Sequence, residues 1–276
     1  MVNSHNDQAE GLRRIMAGPK PRIVSILSAT TAGDKPRTLS NLAVSLRRHG
    51  SDVLVVNAAT DSRDALHQYG ISGIPTLVAV AQKKHALEEA ILLSEQGFSV
   101  ANLMSNKQLR TSLGTKLNSE LNSLFESLAS HYEVVLVDAE LTESHTLPLN
   151  ALNQGEILIQ LTSKPESIKQ AYRLIKQVYH QLGRGSFGIL LSGANEKQAQ
   201  DVFLNLSQVA RRYLSIQLEF FGAIPVDEHL NRAAHLGRAV VEAFPMSTAS
   251  TAFKQMAERL GYSHTLYPAA QPSSFT

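Results

Sequence analysis

Short, nearly continuous apolar runs alternate along this chain with segments that are apolar along one helical face only. The apolar runs are rich in β-branched residues and show almost no polar alternation, which is typical of strands that a parallel sheet buries on both faces. The pattern therefore predicts strands at residues 22–28, 52–57, 134–139, 156–162 and 187–193.

Between these runs lie three segments with helical spacing of apolar residues, at 117–132, 165–183 and 199–214. The second segment stops at Gly183, which is expected to cap its C-terminus. Alternating strands and helices predict an α/β fold, with a doubly wound, mostly parallel sheet flanked by helices in a single domain. In such a sheet ligands bind outside the carboxyl ends of the strands.

Two stretches fit this alternation less well. Residues 71–101 combine a strand-like "PTLVAVA" with a helix-like "ALEEAILLS", and we expect a helix–strand excursion that ends in a strand near "FSVANLM". Residues 263–276 are rich in Pro and Ser and are expected to form a disordered tail, so the folded domain is predicted to span 21–262.

Composition narrows the classes of function. The chain has 276 residues, 43% of them hydrophobic, which suits one α/β domain of ordinary size. The chain contains no cysteine, which excludes disulfides, thiolate metal sites and a cysteine nucleophile. Because its histidines also lack the spacing of metal ligands, no metal site is expected. The net charge of +2 is too small to indicate a nucleic-acid partner. Without a membrane-spanning run or a signal-peptide core, we expect a cytoplasmic protein.

The stretch "SATTAGDKPRTLSNLA" (28–43) follows the first predicted strand and opens a helix, where a nucleotide-binding protein has its phosphate loop. Such a loop aims backbone N–H groups at phosphates, neutralises charge with a lysine and binds Mg²⁺ through a Ser or Thr hydroxyl. Lys35 has the lysine position, but Pro36 offers neither hydroxyl nor N–H, and Asp34 precedes the lysine. A carboxylate ~4 Å from a phosphate costs roughly 4 kcal/mol at an effective dielectric of 20. From the residues alone, a plain strand–helix turn with proline in the first helical turn is an alternative.

The same stretch resembles the "SGKGGVGKTTTSANLA" opening of the MinD/ParA family of ATPases, without a gap. The positions that agree are Ser28, Lys35, Thr38, Asn41, Leu42 and Ala43. The Walker B strand "VVLVDA" keeps its aspartate, Asp138, although such a residue also suits a simple strand end. Thr30 replaces the family's early lysine, and Asn57 and Ala59 replace the two aspartates of its D-x-D element.

This resemblance implies a P-loop NTPase-like fold with a degenerate ATP site. The implied nucleotide-binding positions are Gly33, Lys35, Arg37, Thr38, Asp138 and Pro225. Because groups that position water and Mg²⁺ for phosphoryl transfer are missing, we expect little or no hydrolysis and no bound metal. Weak binding of ATP through Lys35 and Arg37 stays open.

The second half of the chain resembles one branch of that family, the FlhG/FleN group of bacterial regulators of flagellar number and placement. "LTSKPESIKQAYRLIKQV" and residues 218–260 follow the pattern of this group. In the second stretch, the residues that match the pattern of the group in the same order are Pro225, Asp227, Leu230, Ala233, Pro245, Ser247 and Phe253. Ser192 replaces the asparagine with which the family contacts adenine, a further loss from the ATP site.

Residues 6–16, "NDQAEGLRRIM", precede the first strand and have the spacing of a short amphipathic helix. A frayed surface helix is an alternative, because the segment is too short to be stable alone. Its "DQAEGLR" part resembles the D-Q-A-x-x-L-R motif of the flagellar regulators, which docks on the SRP-type GTPase FlhF and promotes GTP hydrolysis. The resemblance implies that Gln8 orients the attacking water on the partner. The implied docking contacts are Asp7, Ala9, Leu12 and Arg13, and residues 1–20 form the partner-activating segment.

Together the resemblances imply a regulator of flagellar number and placement that stimulates an FlhF-like GTPase. Two alternatives are an active MinD-like ATPase with an atypical phosphate loop and a nucleotide-independent scaffold for flagellar components. Further implied partners are flagellar rotor (C-ring) proteins or a flagellar transcription regulator.

The last helix, at 247–262, is expected to pack on the core rather than on a membrane. Localisation is therefore expected in the cytoplasm, at the cell pole or peripherally at the inner membrane.

Overall fold

The structure, a computed structural model, describes residues 20–31, 33–59, 73–104, 113–183 and 187–262. The predicted partner-activating segment before Lys20 and the predicted tail after Tyr262 lie outside the described residues.

A sheet of eight strands lies at the centre of the fold. Its strands are β1 (Arg22–Ser28), β2 (Val53–Ala58), β3 (Ile91–Leu93), β4 (Ser99–Asn102), β5 (Val134–Ala139), β6 (Glu156–Leu161), β7 (Phe187–Ser192) and β8 (Leu218–Ile224). In space they follow the order β3–β4–β2–β5–β1–β6–β7–β8. β3 runs antiparallel to β4, and the other pairings are parallel. β2 and β5 are buried at every residue, which explains why their sequences lack polar alternation.

Helices cover both faces of this sheet. They are α1 (Asp34–Arg48), α2 (Leu77–Ala81), α3 (Thr115–Ala129), α4 (Pro165–Leu182), α5 (Glu196–Leu214), α6 (Glu228–His235), α7 (Val240–Ala243) and α8 (Thr248–Tyr262). One core lies beneath α2, α3, α4 and α5, and the other lies beneath α1, α6, α7 and α8. The predicted α/β fold, a doubly wound and mostly parallel sheet in a single domain, is confirmed. Gly183 ends α4 with a φ of 63°, a left-handed cap as glycine permits.

The helix–strand excursion expected between β2 and β4 is confirmed, but its two stretches have the opposite structures to those that their patterns suggested. The strand-like stretch at 75–81 contains the helix α2, because the Thr76 hydroxyl accepts from the Ala79 N–H (3.2 Å) and caps it. The helix-like stretch at 86–94 holds a 3-10 turn, Glu88–Ala90, and then β3, because pairing with β4 outweighs local helix propensity. The strand expected near "FSVANLM" is confirmed as β4.

β8 is a strand that the apolar-run criterion does not find. It lies at the edge of the sheet, and only every third residue along it is buried, namely Leu218, Phe221 and Ile224. An edge strand lacks the continuous apolar run by which the central strands were recognised.

The last helix packs on the core, as predicted. α8 lies against α1 and β8. Its core-facing side chains, at most 2% exposed, are Phe253, Met256, Ala257 and Leu260. Arg22 ties this helix to the sheet by donating to the Arg259 and Leu260 carbonyls (3.0 and 2.6 Å), and it also pairs with Glu156. None of the described helices is both long and apolar enough to cross a membrane.

Candidate functional site at the start of helix α1

The loop between β1 and α1 lies at the carboxyl edge of the sheet, where a parallel α/β fold places its ligands. Its first part is held by short contacts within the loop. The Thr30 N–H donates to the Ser28 hydroxyl (3.0 Å), and the two hydroxyls lie 2.8 Å apart. Gly33 occupies the N-cap position of α1 with a right-handed φ of −81°.

Asp34 places a carboxylate at the N-terminus of α1. It is the first residue of the helix, and its Oδ2 accepts from the Thr31 hydroxyl (2.6 Å). The N–H groups and the dipole at a helix N-terminus attract negative charge, and in phosphate loops they serve the ligand. In this chain a side chain of the protein supplies that negative charge.

Pro36 lies in the first turn of α1, where proline is tolerated, as the sequence predicts. The side chain is buried, and it supplies neither an N–H nor a hydroxyl at the position that follows the lysine. The first turn therefore has one backbone donor fewer than a standard phosphate loop.

Lys35 and Asp138 form a buried ion pair. The Lys35 Nζ lies 2.6 Å from Asp138 Oδ1, and the two side chains are 8% and 1% exposed. The same Nζ donates to the Ala139 carbonyl (2.7 Å). Strand pairing explains the geometry, because β5 lies directly beside β1 and Asp138 is the register partner of Ile26. The lysine and the aspartate that the sequence assigned to the nucleotide therefore meet each other.

The end of β2 carries Asn57 and Ala59 at the two positions that the resemblance aligns with the D-x-D carboxylates. Asn57 is the register partner of Asp138, and its amide donates to the Asn102 side-chain oxygen (3.2 Å) in a buried contact. Ala59 is also buried and has no polar side-chain group. Neither of the two positions supplies a carboxylate that could orient a water molecule.

A buried amide, Gln160, connects the candidate site to β7. Its Nε2 lies within donor distance of the Thr38 hydroxyl (3.0 Å) and of the Ser192 hydroxyl (2.9 Å). Sequence reasoning missed Gln160, although a glutamine inside the apolar run "EILIQLT" was the available signal, since a buried polar side chain needs partners.

Arg37 and Pro225 lie towards α6 rather than beside Asp138. The Arg37 guanidinium donates to the Asn231 side-chain oxygen (3.1 Å) on α6. Pro225 follows β8, and β6 and β7 separate β8 from β1. The structure thus brings Lys35, Asp138 and Thr38 to one region, with Gly33 at the helix start, and it places Pro225 at the far side of that region. The predicted contacts Asp7, Gln8, Ala9, Leu12 and Arg13 lie outside the described residues.

Asp227 joins the starts of two helices. Its Oδ1 accepts from the His229 N–H (2.9 Å) at the start of α6, and its Oδ2 accepts from the Ala249 N–H (2.9 Å) at the start of α8. Burial alone would raise the pKa of this carboxyl, but the backbone donors of Ala249 and His229, with the side chains of Thr248 and His229, hold the pKa of Asp227 well below its usual range. Asp227 is therefore a structural anchor for the segment that follows β8.

Comparisons with known proteins agree with this fold. The antiactivator FleN of Pseudomonas aeruginosa is 27% identical over 240 residues, which cover 87% of this chain and 86% of FleN. The MinD cell division protein of Aquifex aeolicus superposes with a TM-score of 0.63 at 18% identity, covering 87% of this chain and 96% of that one. A ParA family ATPase of Chlorobium tepidum gives a TM-score of 0.63 at 17% identity, over 86% and 98%. No protein-family model matches the chain.

These superpositions show that the chain has a P-loop NTPase-like fold of the MinD/ParA type. Within that group of folds, the chain is similar in sequence to FleN along most of both proteins.

The residues present do not fit Mg²⁺·ATP as this class of protein holds it. The metal-binding hydroxyl is replaced by Pro36, and a carboxylate, Asp34, occupies the helix N-terminus. Lys35 is already paired with Asp138. Among the described residues, no group of three or more His, Asp or Glu side chains is arranged to hold a metal ion.

Proposed function

We propose that this chain regulates flagellar number and placement without an ATPase cycle of its own, and that it acts by stimulating an FlhF-like GTPase through residues 7–13. The resemblance of the chain to the FlhG/FleN group, and its match to a protein named as an antiactivator, support the first part. The intact "DQAEGLR" stretch supports the second part.

The observation that carries the loss of the ATPase cycle is the buried pair of Lys35 and Asp138. A triphosphate would have to draw Lys35 away from this carboxylate, and a buried charge left without its partner costs about 3–5 kcal/mol. Asp34 would oppose the same phosphates from the start of α1. With Ala59 in place of the water-orienting aspartate, bound nucleotide would also lack the group that prepares water for attack.

The start of β1 and the candidate nucleotide site lie at opposite edges of the sheet. The described residues begin at Lys20, two residues before β1, and therefore at the amino edge of the sheet. The site around Lys35 lies at the carboxyl edge, roughly 23 Å away along a seven-residue strand.

In the proposed reaction Gln8 acts on the partner's active site. Its amide would orient the water that attacks the γ-phosphate of GTP, as glutamines do in other GTPases. Asp7, Ala9, Leu12 and Arg13 would fix the segment on the partner so that this amide is held in place. Flagellar rotor proteins or a flagellar transcription regulator are proposed as further partners.

GTP turnover by the purified FlhF-like partner tests this function. We expect the full chain to raise turnover at least about tenfold, and Gln8→Ala to remove the effect, because the orienting amide is lost. Asn3→Ala, which removes an amide outside the motif, is the matched control and should stimulate normally. Equal stimulation by the wild type and Gln8→Ala would reject the proposed role of Gln8.

An active ATPase is the second candidate, because the sequence retains Lys35 and Asp138 at the positions that the MinD/ParA resemblance assigns to the nucleotide. Equilibrium titration with a fluorescent ATP analogue, with and without Mg²⁺, separates the candidates. Tight, Mg²⁺-dependent binding that disappears in Lys35→Ala would favour the ATPase. Partner capture that ignores both ATP and Gln8→Ala would favour a scaffold.

A further inference from the structure

The positive charge of the protein is concentrated on α4 and α5, two helices that lie against each other on one face of the sheet. Each helix has three lysine or arginine residues, against one acidic residue on α4 and two on α5, so together they carry a net charge of +3. The whole chain has a net charge of +2, so the remaining residues sum to −1. The six cations are Lys169, Arg173, Lys176, Lys197, Arg211 and Arg212.

These charges are also segregated along the two helices. α4 and α5 lead into β7 and β8, so both helices run from the carboxyl edge of the sheet to its amino edge. The three acidic residues lie within the first six positions of their helices, near the carboxyl edge. Four exposed cations lie from the middle of the helices onwards, and we call them the basic end: Arg173, Lys176, Arg211 and Arg212.

None of the cations of the basic end pairs with a carboxylate of the described residues. Lys169, in contrast, lies earlier on α4 and pairs with Glu166 (3.0 Å). The Arg173 guanidinium donates to a neutral group, the Gln170 side-chain oxygen (3.3 Å). Exposed like charges without counter-charges repel each other, and an anionic surface relieves that repulsion.

The helix dipole accounts for only part of this arrangement. Cations are favoured in the last turn of a helix, where Arg211 and Arg212 lie in α5. The effect falls off within one turn, whereas Arg173 and Lys176 lie nine and six residues before the end of α4. Helix stability therefore does not explain the charges in the middle of α4.

We propose that the basic end is a contact surface for an anionic phospholipid bilayer. Each lysine or arginine near such a membrane raises the affinity about fivefold through electrostatic attraction. Tyr213 adds an amphipathic ring at the same end, since it is 65% exposed and the Arg212 guanidinium lies 5.4 Å from the centre of its ring. Tyrosine side chains favour the interface between membrane and water.

A bilayer suits this surface better than a folded protein partner does. Protein interfaces depend on a few apolar or aromatic anchors that are seated in pockets of the partner. Every large hydrophobic side chain of α4 is buried or half-buried, so this helix offers charge without an anchor. A lipid surface binds through summed charge, which is what the basic end supplies.

The proposed contact is separate from the candidate nucleotide site and from the last helix. Lys35 lies at the carboxyl edge of the sheet, whereas the basic end extends to the amino edge. The last helix, α8, packs on the opposite face of the sheet. The bilayer contact therefore stands or falls independently of nucleotide binding and of the GTPase proposal.

Co-sedimentation of the full chain with lipid vesicles tests the proposal. We expect binding to phosphatidylcholine vesicles that contain phosphatidylglycerol to be at least about tenfold stronger than to pure phosphatidylcholine, and to disappear at about 0.5 M salt. Arg173→Gln/Lys176→Gln should weaken the binding at least about fivefold, because it removes half of the charge of the basic end.

Arg48→Gln/Arg238→Gln is the matched control, because it removes the same charge from exposed positions at the end of α1 and after α6, on the other face of the sheet. This variant should bind the vesicles like the wild type. The proposal is overturned if phosphatidylglycerol does not strengthen the binding, if the two double variants bind equally well, or if the chain binds polyglutamate but no vesicles.

Discussion

The Lys35 ammonium group lies 2.6 Å from Asp138 Oδ1, and both side chains are almost completely buried. Two residues that phosphate loops direct towards nucleotide and metal thus satisfy each other inside the protein. In a buried pair of this kind, the loss of one partner is costly because the remaining charge stays in a medium of low polarity.

Lys35→Met is expected to destabilise the fold by about 3 kcal/mol, because it leaves the Asp138 carboxylate buried without its cation. Urea unfolding at pH 7 measures this change. Lys169→Met is the control, since Lys169 is exposed and pairs with Glu166 at the surface, and it should cost less than about 0.5 kcal/mol. The double variant Lys35→Met/Asp138→Asn should recover much of the loss. If Lys35→Met were as stable as the wild type, the pair would have no structural role.

The double variant Asp34→Gly/Pro36→Thr is expected to bind Mg²⁺·ATP at least about tenfold more tightly than the wild type, because it removes a repelling carboxylate and restores the hydroxyl ligand. Titration with a fluorescent ATP analogue, with and without Mg²⁺, measures the gain. Asp52→Asn changes charge by the same amount at the other end of α1 and should leave the affinity unaltered. A gain that does not depend on Mg²⁺ would contradict the assigned role of the hydroxyl.

Asp227→Asn is expected to cost about 1–2 kcal/mol at pH 7, since it weakens the charged hydrogen bonds that hold two helix starts. The pKa of Asp227 is lowered in the folded state, so its stabilising effect is fully present above the unfolded pKa of 3.8 and is lost progressively as the pH falls from there through the lower folded pKa. Urea unfolding between pH 7 and pH 3 should therefore show the wild type and the variant converging in acid. Asp201→Asn, an exposed change on α5, should follow the wild type throughout. A constant gap down to pH 3 would exclude Asp227 as the titrating group.

Gly155→Ala is expected to destabilise the fold by about 1–3 kcal/mol, because the new Cβ would lie 2.7 Å from the Ile23 carbonyl oxygen of β1. Gly261→Ala is the matched control. This glycine lies in α8 with open space around it, so alanine should be neutral or stabilising by up to about 1 kcal/mol. Thermal and urea unfolding of both variants measure these changes in stability. If Gly155→Ala were as stable as Gly261→Ala, β1 would be able to shift and make room for the new methyl group.

The central strands could be predicted from sequence because they are buried on both faces, and their apolar runs record that burial directly. β8 and β3 could not, because they lie at the two edges of the sheet and depend on their neighbours. α2 shows the same limit, since the Thr76 cap and the burial of Leu77 and Val78 in the core stabilise a helix in a stretch whose valines favour strands.

The chemistry of the phosphate loop could also be recognised from sequence, because Asp34, Pro36 and Lys35 are consecutive residues and the start of a helix has a defined geometry. Gln160 and Asn102 were missed, because their partners Thr38 and Asn57 lie far away along the chain. Only the order of the strands brings these amides to the same edge.

The sequence by itself determined the alternating α/β architecture and the altered composition of the loop at the start of α1, since both depend on residues that are neighbours along the chain. The tertiary structure alone decided that Lys35 pairs with Asp138, that Asp227 holds two helices, and that Gln160 contacts Thr38. These contacts join residues from different strands and helices, and their distances are set by sheet order and packing, which no local pattern encodes.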